Sequence, residues 1–218
     1  MKKHIICLGD SNTHGYCPDP DDCGNPHLRF DESTRWPMGL QAGLGTDYLV
    51  VEEGRSGRTT VFPDPLTQGL AAIDYLHPCL KSHEPVDLLI VMLGTNDTKE
   101  RFGANAFTIG KGMERLLREA QHTDCWGGKA PNILLIAPPA IREEILTCPT
   151  IGSMGQRCVE KSLQVPAVFQ EVATLLGCHF LDAGALGCQF NAVDFMHLTA
   201  EAHGILADKL IGLVPSLV

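Results

Sequence analysis

The segment Lys3-His4-Ile5-Ile6-Cys7-Leu8-Gly9-Asp10-Ser11-Asn12 decides the fold, because an apolar run passes directly into a tight polar turn. Four similar runs follow along the chain: Tyr48 to Glu52, Asp87 to Leu93, Asn132 to Ala137 and Cys178 to Leu181. These runs are apolar throughout rather than alternating, which is typical of strands buried on both faces of a parallel sheet. We therefore expect five parallel strands.

Helices are predicted between the strands, where apolar residues recur at intervals of three and four. The predicted helices are Trp36 to Leu44, Leu66 to Leu80, Phe107 to Ala120, Gly155 to Leu176 and Leu198 to Leu213. We expect Pro166 to break or kink the fourth helix, and Thr199 to cap the last, with Glu201 in its first turn. Repeated alternation of strand and helix predicts one α/β domain over residues 1–218, a three-layer α/β/α sandwich with right-handed crossovers.

Net charge and hydropathy limit the kinds of molecule that the protein is expected to bind. The formal net charge is −9 and the chain has no cluster of Lys or Arg, which argues against nucleic acid or an anionic membrane surface. The longest apolar stretches, of about seven residues, are too short to cross a membrane. Two lysines before the first run faintly suggest a signal peptide, but the run continues into the Ser11 turn. We therefore expect the mature protein to begin at Met1.

Cysteine usage indicates the compartment. The nine cysteines are an odd number, and no two of them form a Cys-x-x-Cys pair. This pattern predicts neither a disulfide scaffold nor a zinc site, and a cytoplasmic location fits it best.

The Gly9-Asp10-Ser11 turn is the first candidate for chemistry. A tight turn at the end of a strand would project the serine hydroxyl from the edge of the sheet. The motif is not the Gly-x-Ser-x-Gly elbow of α/β-hydrolases. Taken alone, it is equally an ordinary turn whose serine caps the next helix.

A carboxylate and an imidazole, Asp194 and His197, lie three residues apart after the fifth predicted strand. A turn of this length can bring the carboxylate onto one ring nitrogen and leave the other to accept a serine proton. Taken alone, the pair could be a helix cap and a surface histidine. We assign the nearby His203 to a helix surface or to packing.

Two further loops offer hydrogen-bond donors. Gly57 lies in a polar loop after the second strand, where its N–H could approach a developing oxyanion without interference from a side chain. Asn96 follows the third strand and could aim its amide at the same point, together with the N–H of Ser11. The alternatives are a flexible turn at Gly57 and a plain turn at Asn96, with Asp97 capping the next helix.

All of these motifs follow predicted strands, and the carboxyl ends of parallel strands form the ligand crevice of an open α/β sheet. The fold therefore brings together Ser11, Gly57, Asn96, Asp194 and His197. They amount to a nucleophile, a base with its orienting carboxylate, and oxyanion donors, which is the set needed for acyl transfer through a serine ester.

Together the Ser, Gly, Asn and His segments resemble the SGNH (GDS-like) hydrolases. Glu52 to Thr60, Met92 to Lys99 and the Arg35-Trp36 pair resemble the bacterial arylesterase/acyltransferase branch, and the likeness spans essentially the whole chain. The resemblance implies a flavodoxin-like sheet with strand order 2-1-3-4-5 and a homo-oligomer. It also implies hydrolysis of short acyl esters, with transfer to alcohols or hydrogen peroxide as a side activity. We expect no cofactor.

Three polar residues are candidates for binding a small-molecule ester: Asn12, His14 and Lys99. Asn12 and His14 stand beside the nucleophile, where the arylesterase branch tends to carry apolar or aromatic residues. A polar pair there would suit a hydroxyl-rich leaving group, so a carbohydrate O-acetyl esterase is the alternative function. A binding protein that keeps the fold and has lost catalysis is a second alternative.

Two long segments are expected to wall the crevice. The loop from Tyr16 to Arg35 is too long for a simple connector. The segment from Pro138 to Met154, which starts with Pro138-Pro139 and the turn after them, could form the opposite wall. No metal site is predicted, because the spacing of four further histidines does not resemble a ligand set. Those histidines are His77, His83, His122 and His179.

Overall fold

The computed structural model describes residues 2–25 and 27–218, which fold around a parallel sheet. Its strands are β1 (Lys3–Gly9), β2 (Tyr48–Gly54), β3 (Leu88–Met92), β4 (Ile133–Ala137) and β5 (His179–Asp182). All are parallel, and they lie in the order β2-β1-β3-β4-β5. The predicted strands and the flavodoxin-like strand order are therefore confirmed, with each strand end within two residues of its expected place.

The helices alternate with the strands. They are α1 (Ser11–His14), α2 (Pro20–Cys23), α3 (Trp36–Leu44), α4 (Ala72–Ser82), α5 (Ala106–His122), α6 (Ile151–Met154), α7 (Cys158–Leu176) and α8 (Ala200–Leu213). Thr199 caps α8 as predicted, since its side chain accepts a hydrogen bond from the N–H of Ala202 at 3.2 Å. In the described part of the chain, no helix combines the length and the apolar character needed to cross a bilayer.

The core is divided by the sheet into two halves, because successive strand residues point to opposite faces. On one face, Ile6 of β1 packs in a cluster with Phe169 and other residues of α4, α5 and α7. On the other face, Ile5 packs in a cluster with Trp36 of α3 and Leu206 of α8. This arrangement confirms the predicted three-layer α/β/α sandwich.

The helix predicted over Leu66 to Leu80 is wrong in its first part, because α4 begins only at Ala72. Gly69 has φ +70°, a left-handed conformation that ends any helical run. The carbonyl of Leu70 instead accepts a hydrogen bond from the N–H of Thr59 at 2.9 Å. This stretch therefore runs beside the loop that follows β2 and supports it.

The break predicted at Pro166 is also wrong, since α7 is helical from Cys158 to Leu176. Proline lacks the N–H that would bond to the preceding turn, which is costly inside a helix. Val165 and Phe169, on either side of it, are buried in the core beneath the sheet. This packing holds the helix together across the missing hydrogen bond.

His203 is fully buried within α8, so the packing assignment is correct and the surface assignment is wrong. Its Nδ1 accepts a hydrogen bond from the N–H of Trp36 at 3.3 Å. Burial, reinforced by the positive charge of Arg35, lowers the pKa of His203 to about 3. The ring is therefore a neutral packing group that joins α3 to α8.

Two glycines allow α1 to sit against the ends of β1 and β2. A Cβ at Gly9 would lie 2.0 Å from Oγ1 of Thr13 and 2.9 Å from the carbonyl oxygen of Met92. A Cβ at Gly54 would lie 2.2 Å from the backbone nitrogen of His14. These close approaches place the first turn of α1 directly over the carboxyl ends of β1 and β2.

Replacing Gly54 with alanine should therefore destabilise the fold. The added methyl group meets backbone atoms of α1, which cannot rotate away as a side chain could, so we expect Gly54→Ala to lower the free energy of unfolding by about 1–3 kcal/mol. Guanidinium titration followed by circular dichroism measures this change.

The matched control is Gly204→Ala on α8, where an added Cβ meets nothing within 4 Å. That change should leave the free energy of unfolding unaltered or raise it by up to about 1 kcal/mol. An unfolding midpoint of Gly54→Ala equal to that of the wild type would contradict the close approach of α1 to β2.

Candidate active site

Ser11 is held at the carboxyl end of the central strand β1 by the local backbone. Asp10 caps α1, and its carboxylate accepts a hydrogen bond from the N–H of Asn12 at 3.0 Å. Gly15, in the left-handed region at φ +83°, ends the helix after a single turn. The serine is thus the first residue of a short helix that begins where the strand ends.

Ser11, His197 and Asp194 form a continuous chain of close contacts. Nε2 of His197 lies 2.8 Å from Oγ of Ser11, and Nδ1 lies 2.5 Å from Oδ2 of Asp194. All three side chains are largely buried. The structure therefore brings together the serine, the imidazole and the carboxylate that the sequence singled out, in the geometry needed to move a proton from hydroxyl to ring.

The second oxygen of Asp194 is fixed by its own loop. Oδ1 accepts hydrogen bonds from the side chain of Asn191 at 3.0 Å and from the backbone N–H groups of Met196 and His197 at 3.2 Å. Burial alone would raise the pKa of Asp194, but these bonds and the hydrogen bond to His197 outweigh it, and the pKa lies below its usual value. The carboxylate is therefore ionised at neutral pH and held in one orientation.

Asn12 joins α1, which begins with Ser11, to the loop before α8 that carries His197. Its Nδ2 donates to the carbonyl of Met196 at 3.1 Å, and its Oδ1 accepts from the N–H of Leu198 at 2.9 Å. Because the side chain is buried and both of its polar atoms are bonded to backbone, it does not face the cavity beside Ser11. The structure therefore does not bring Asn12, a predicted substrate-binding residue, to the cavity.

The two candidate oxyanion loops flank the serine. Gly57 has φ +85°, which favours glycine, and a Cβ there would lie only 3.1 Å from Cδ1 of Leu70. Asn96 begins a short 3-10 helix after β3, and its Nδ2 donates to Oδ2 of Asp10 at 3.4 Å. Burial raises the pKa of Asp10 to about 6, against the lowering effects of its hydrogen bond and the nearby positive charges.

The serine, the imidazole and the two candidate oxyanion donors line one cavity of about 260 Å³. It is lined by Ser11, Tyr16, Ser56, Gly57, Asn96, Lys99, Thr150, Ser153, Met154, Asp194, Met196 and His197. The Tyr16 ring meets the His197 ring edge-on, with 4.7 Å between centroids. A small substrate can therefore reach the serine, the imidazole and the two candidate oxyanion donors at once.

Of the other two candidate binding residues, one lines the cavity and one does not. Lys99 lines the cavity, and burial lowers the pKa of its amine. His14 does not line the cavity, because it lies at the end of α1 against the end of β2, where its carbonyl accepts from Nε of Arg29 at 2.8 Å. The structure therefore does not bring His14, a predicted substrate-binding residue, to the cavity.

The walls were only partly foreseen. The loop that begins at Tyr16 borders the cavity as expected, through the tyrosine ring. The opposite wall is built by Thr150, Ser153 and Met154, at the end of the predicted segment from Pro138 to Met154, whereas Pro138-Pro139 at its start do not line the cavity. Hydrophobic periodicity could not show which part of this segment faces the cavity, because α6 is a single turn whose placement depends on contacts with the rest of the chain.

A larger cavity of about 490 Å³ lies near the ends of β4 and β5. Pro139, Arg142 and Asp182 are among its lining residues, but Ser11, Gly57, Asn96, Asp194 and His197 are not. Size therefore does not identify the active site. The smaller cavity is the candidate active site because Ser11, His197, Gly57 and Asn96 all line it.

One group of possible metal ligands occurs among residues 2–25 and 27–218. Atoms of Glu53, Cys79 and His83 lie within 4.8 Å of one another, although the spacing of His83 in the sequence suggested no site. Oε1 of Glu53 is already paired with Nε2 of His83 at 3.0 Å, and Tyr75 donates to Oε2 at 3.0 Å. Burial raises the pKa of Cys79 to about 12, and the Arg58 guanidinium donates to the Glu53 carbonyl. These contacts assign the cluster to packing around the loop after β2.

Comparison with known proteins agrees with this site. The model of the GDSL-like lipase/acylhydrolase family matches residues 7–205. No curated protein matches the chain.

Solved structures extend the likeness to the whole chain. An aryl esterase of M. smegmatis is 33% identical, with a TM-score of 0.88, over 99% of this chain and 100% of that one. A carbohydrate acetylesterase from Sinorhizobium meliloti is also 33% identical, with a TM-score of 0.88, over 100% of both chains. A lipolytic G-D-S-L family protein from Veillonella parvula shares the fold, with a TM-score of 0.69 at 16% identity over 99% of this chain and 100% of that one.

The family model covers most of the chain and includes the segments that carry Ser11, Asn96 and His197. The chain therefore belongs to the GDSL-like lipase/acylhydrolase family.

Proposed function

We propose that this enzyme is a serine esterase that hydrolyses short acyl esters of small alcohols or phenols through a covalent acyl-Ser11 intermediate. The observation that carries the proposal is the chain of contacts from Ser11 Oγ through His197 to Asp194, at 2.8 Å and 2.5 Å. This chain opens into a cavity that also contains Gly57 and Asn96.

Acylation begins with proton transfer. His197 takes the proton of Ser11 through Nε2 while Oγ attacks the ester carbonyl, and Asp194 holds Nδ1–H and stabilises the imidazolium. The negative charge that develops on the carbonyl oxygen is stabilised by the N–H groups of Ser11 and Gly57 and by the amide of Asn96. His197 then gives its proton to the departing alcohol.

Deacylation repeats these steps with water as the nucleophile. His197 now takes a proton from water, and the acid leaves after the second tetrahedral intermediate collapses. An alcohol or hydrogen peroxide can attack the same acyl-enzyme in place of water, so acyl transfer and peracid formation are outcomes of this mechanism.

The cavity supports a short acyl group. Its volume of about 260 Å³ is small, and Ser56, Lys99, Thr150 and Ser153 are among its lining residues. The large apolar or aromatic side chains in the lining are limited to Tyr16, Met154 and Met196. An acetyl to butyryl group is therefore the preferred acyl part.

A carbohydrate O-acetyl esterase is the second candidate. The polar pair Asn12 and His14 no longer supports it, because neither lines the cavity. The hydroxyls of Thr150 and Ser153 and the amine of Lys99 do support it, since they can pair with the hydroxyls of a sugar leaving group. The homo-oligomer and the cytoplasmic location expected from the sequence also remain proposals.

Removal of the nucleophile tests the proposed function. We expect Ser11→Ala to lower the rate of p-nitrophenyl acetate hydrolysis by at least about 10³-fold, because it deletes only the attacking hydroxyl. The unfolding transition should be unchanged. Ser216→Ala is the matched control, because it removes a hydroxyl that donates to the Leu213 carbonyl at 2.7 Å and does not line the cavity, and it should keep the activity. Retention of more than about a tenth of wild-type turnover by Ser11→Ala would refute Ser11 as the nucleophile.

Acyl specificity is tested with a series of p-nitrophenyl esters from acetate to octanoate. We expect kcat/KM to fall along the series, because each methylene that stays unburied forgoes about 0.8 kcal/mol of binding. A rise toward octanoate would indicate a lipase-like enzyme instead. Acetylated sugars measured in parallel separate the two candidates, since a higher kcat/KM on these than on aryl acetates favours the carbohydrate esterase.

A further inference from the structure

Asp97 is a fully buried carboxylate that the proposed mechanism does not use. It follows Asn96 directly, yet it is absent from the lining of the cavity. The N–H of Thr60 donates to both of its oxygens, at 3.0 and 3.2 Å, and the Thr60 hydroxyl donates to Oδ1. Both hydrogen-bond donors of Thr60, its N–H and its hydroxyl, thus bind the Asp97 carboxylate.

These bonds connect the two loops that carry the candidate oxyanion donors. Thr60 stands three residues after Gly57, and Asp97 stands one residue after Asn96. The backbone between Gly57 and Thr60 is held at two points, because the N–H of Arg58 donates to the Arg55 carbonyl at 3.1 Å and the N–H of Thr59 donates to the Leu70 carbonyl at 2.9 Å. A link from Thr60 to Asp97 therefore sets the spacing between the Gly57 N–H and the Asn96 amide.

The other side of the same loop is tied to the nucleophile. Nη1 of Arg58 donates to the carbonyl of Gly9 at 3.0 Å and also to the carbonyl of Glu53. The N–H of Arg55 donates to the same Gly9 carbonyl at 3.1 Å. The loop is thus anchored to the end of β1, just before Ser11, and Asp97 supplies the anchor toward Asn96.

Burial of the Asp97 carboxylate in its charged form costs free energy. Burial raises its pKa to about 6, the charge of Asp10 adds to this rise, and the hydrogen bonds from Thr60 oppose it. A buried carboxylate is tolerated only where donors are aimed at it. An apolar contact could hold the loop with less desolvation, whereas a hydrogen-bonded carboxylate also fixes its direction and register.

We propose that Asp97 is a positioning residue that, through Thr60, sets the distance between the two oxyanion donors and thereby the rate of the chemical step. The inference rests on the proposed function, because it needs Gly57 and Asn96 to act on the oxyanion. Donors stabilise this charge only when they lie about 2.7–3.1 Å from the position that the oxyanion takes. A displaced loop would therefore weaken transition-state binding and leave ground-state binding largely unchanged.

The test compares kcat and KM for p-nitrophenyl acetate in the full-length enzyme. Asp97→Asn turns an acceptor into an amide whose NH₂ opposes the donors of Thr60, and Thr60→Val removes the hydroxyl but keeps the backbone N–H. We expect kcat to fall by about 10- to 10²-fold in Asp97→Asn and by less in Thr60→Val, with KM little changed. Thr60→Ser, which restores the hydroxyl, should recover most of the wild-type kcat.

Asp87→Asn is the matched control. Asp87 accepts from the His4 N–H at 3.0 Å and from Lys129 at 2.7 Å at the amino end of β3, on the edge of the sheet opposite the site. The Asp87→Asn variant should have a lower free energy of unfolding and an unchanged kcat. If Asp97→Asn does not fold, Thr60→Val decides the question, because it leaves the charge and the backbone bonds in place.

Asn96→Ala separates this inference from the proposed function. If Asn96→Ala lowers kcat while folded Asp97→Asn and Thr60→Val stay within about threefold of the wild type, the positioning role is overturned and the oxyanion assignment stands. If Asn96→Ala leaves kcat unchanged, both are overturned. A smaller effect of Asp97→Asn in the Asn96→Ala background than in the wild type supports the positioning role.

Discussion

The contact between Ser11 and His197 is the interaction on which the rest of the site depends. It joins residues 186 positions apart, one at the first strand and the other before the last helix. The contact forms only if the strands between them are parallel and in the order β2-β1-β3-β4-β5, because that order brings the loops to one edge. The sheet thus brings residues that are far apart in the sequence together in one site.

The polar groups around that contact are arranged so that little can move. Asn12 ties α1 to the loop that carries His197, and Asn191 and two backbone N–H groups hold the free oxygen of Asp194. Phe195 adopts φ +61°, an unusual conformation for a bulky residue, between the carboxylate and the imidazole. Strain of this kind persists only where the surroundings determine it. Preorganisation of this kind is what electrostatic catalysis requires.

Much of this was visible in the sequence. The five apolar runs predicted the strands, and the position of each polar motif after a strand predicted which side chains would meet. Local patterns sufficed here because the apolar runs that end at Leu8 and Leu93 pass directly into polar turns.

What the sequence did not reveal depends on contacts between distant residues. Asn12 was expected to face substrate, but its partners lie 184 and 186 positions away, and no local pattern encodes them. The early start of the helix over Leu66 to Leu80 was wrong because Leu70 bonds to Thr59 across the loop. Pro166 failed to break α7 because burial of its neighbours outweighs one missing hydrogen bond. In each case tertiary packing overrides a local preference.

Covalent capture of the nucleophile tests the central claim most directly. The enzyme is treated with a fluorophosphonate, and intact-mass and peptide-level mass spectrometry locate the adduct. The account predicts one phosphonyl group per chain, on Oγ of Ser11, formed at the rate at which esterase activity disappears and absent from Ser11→Ala. Complete inactivation with the label on any other residue, or full activity in protein whose Ser11 is stoichiometrically modified, would contradict it.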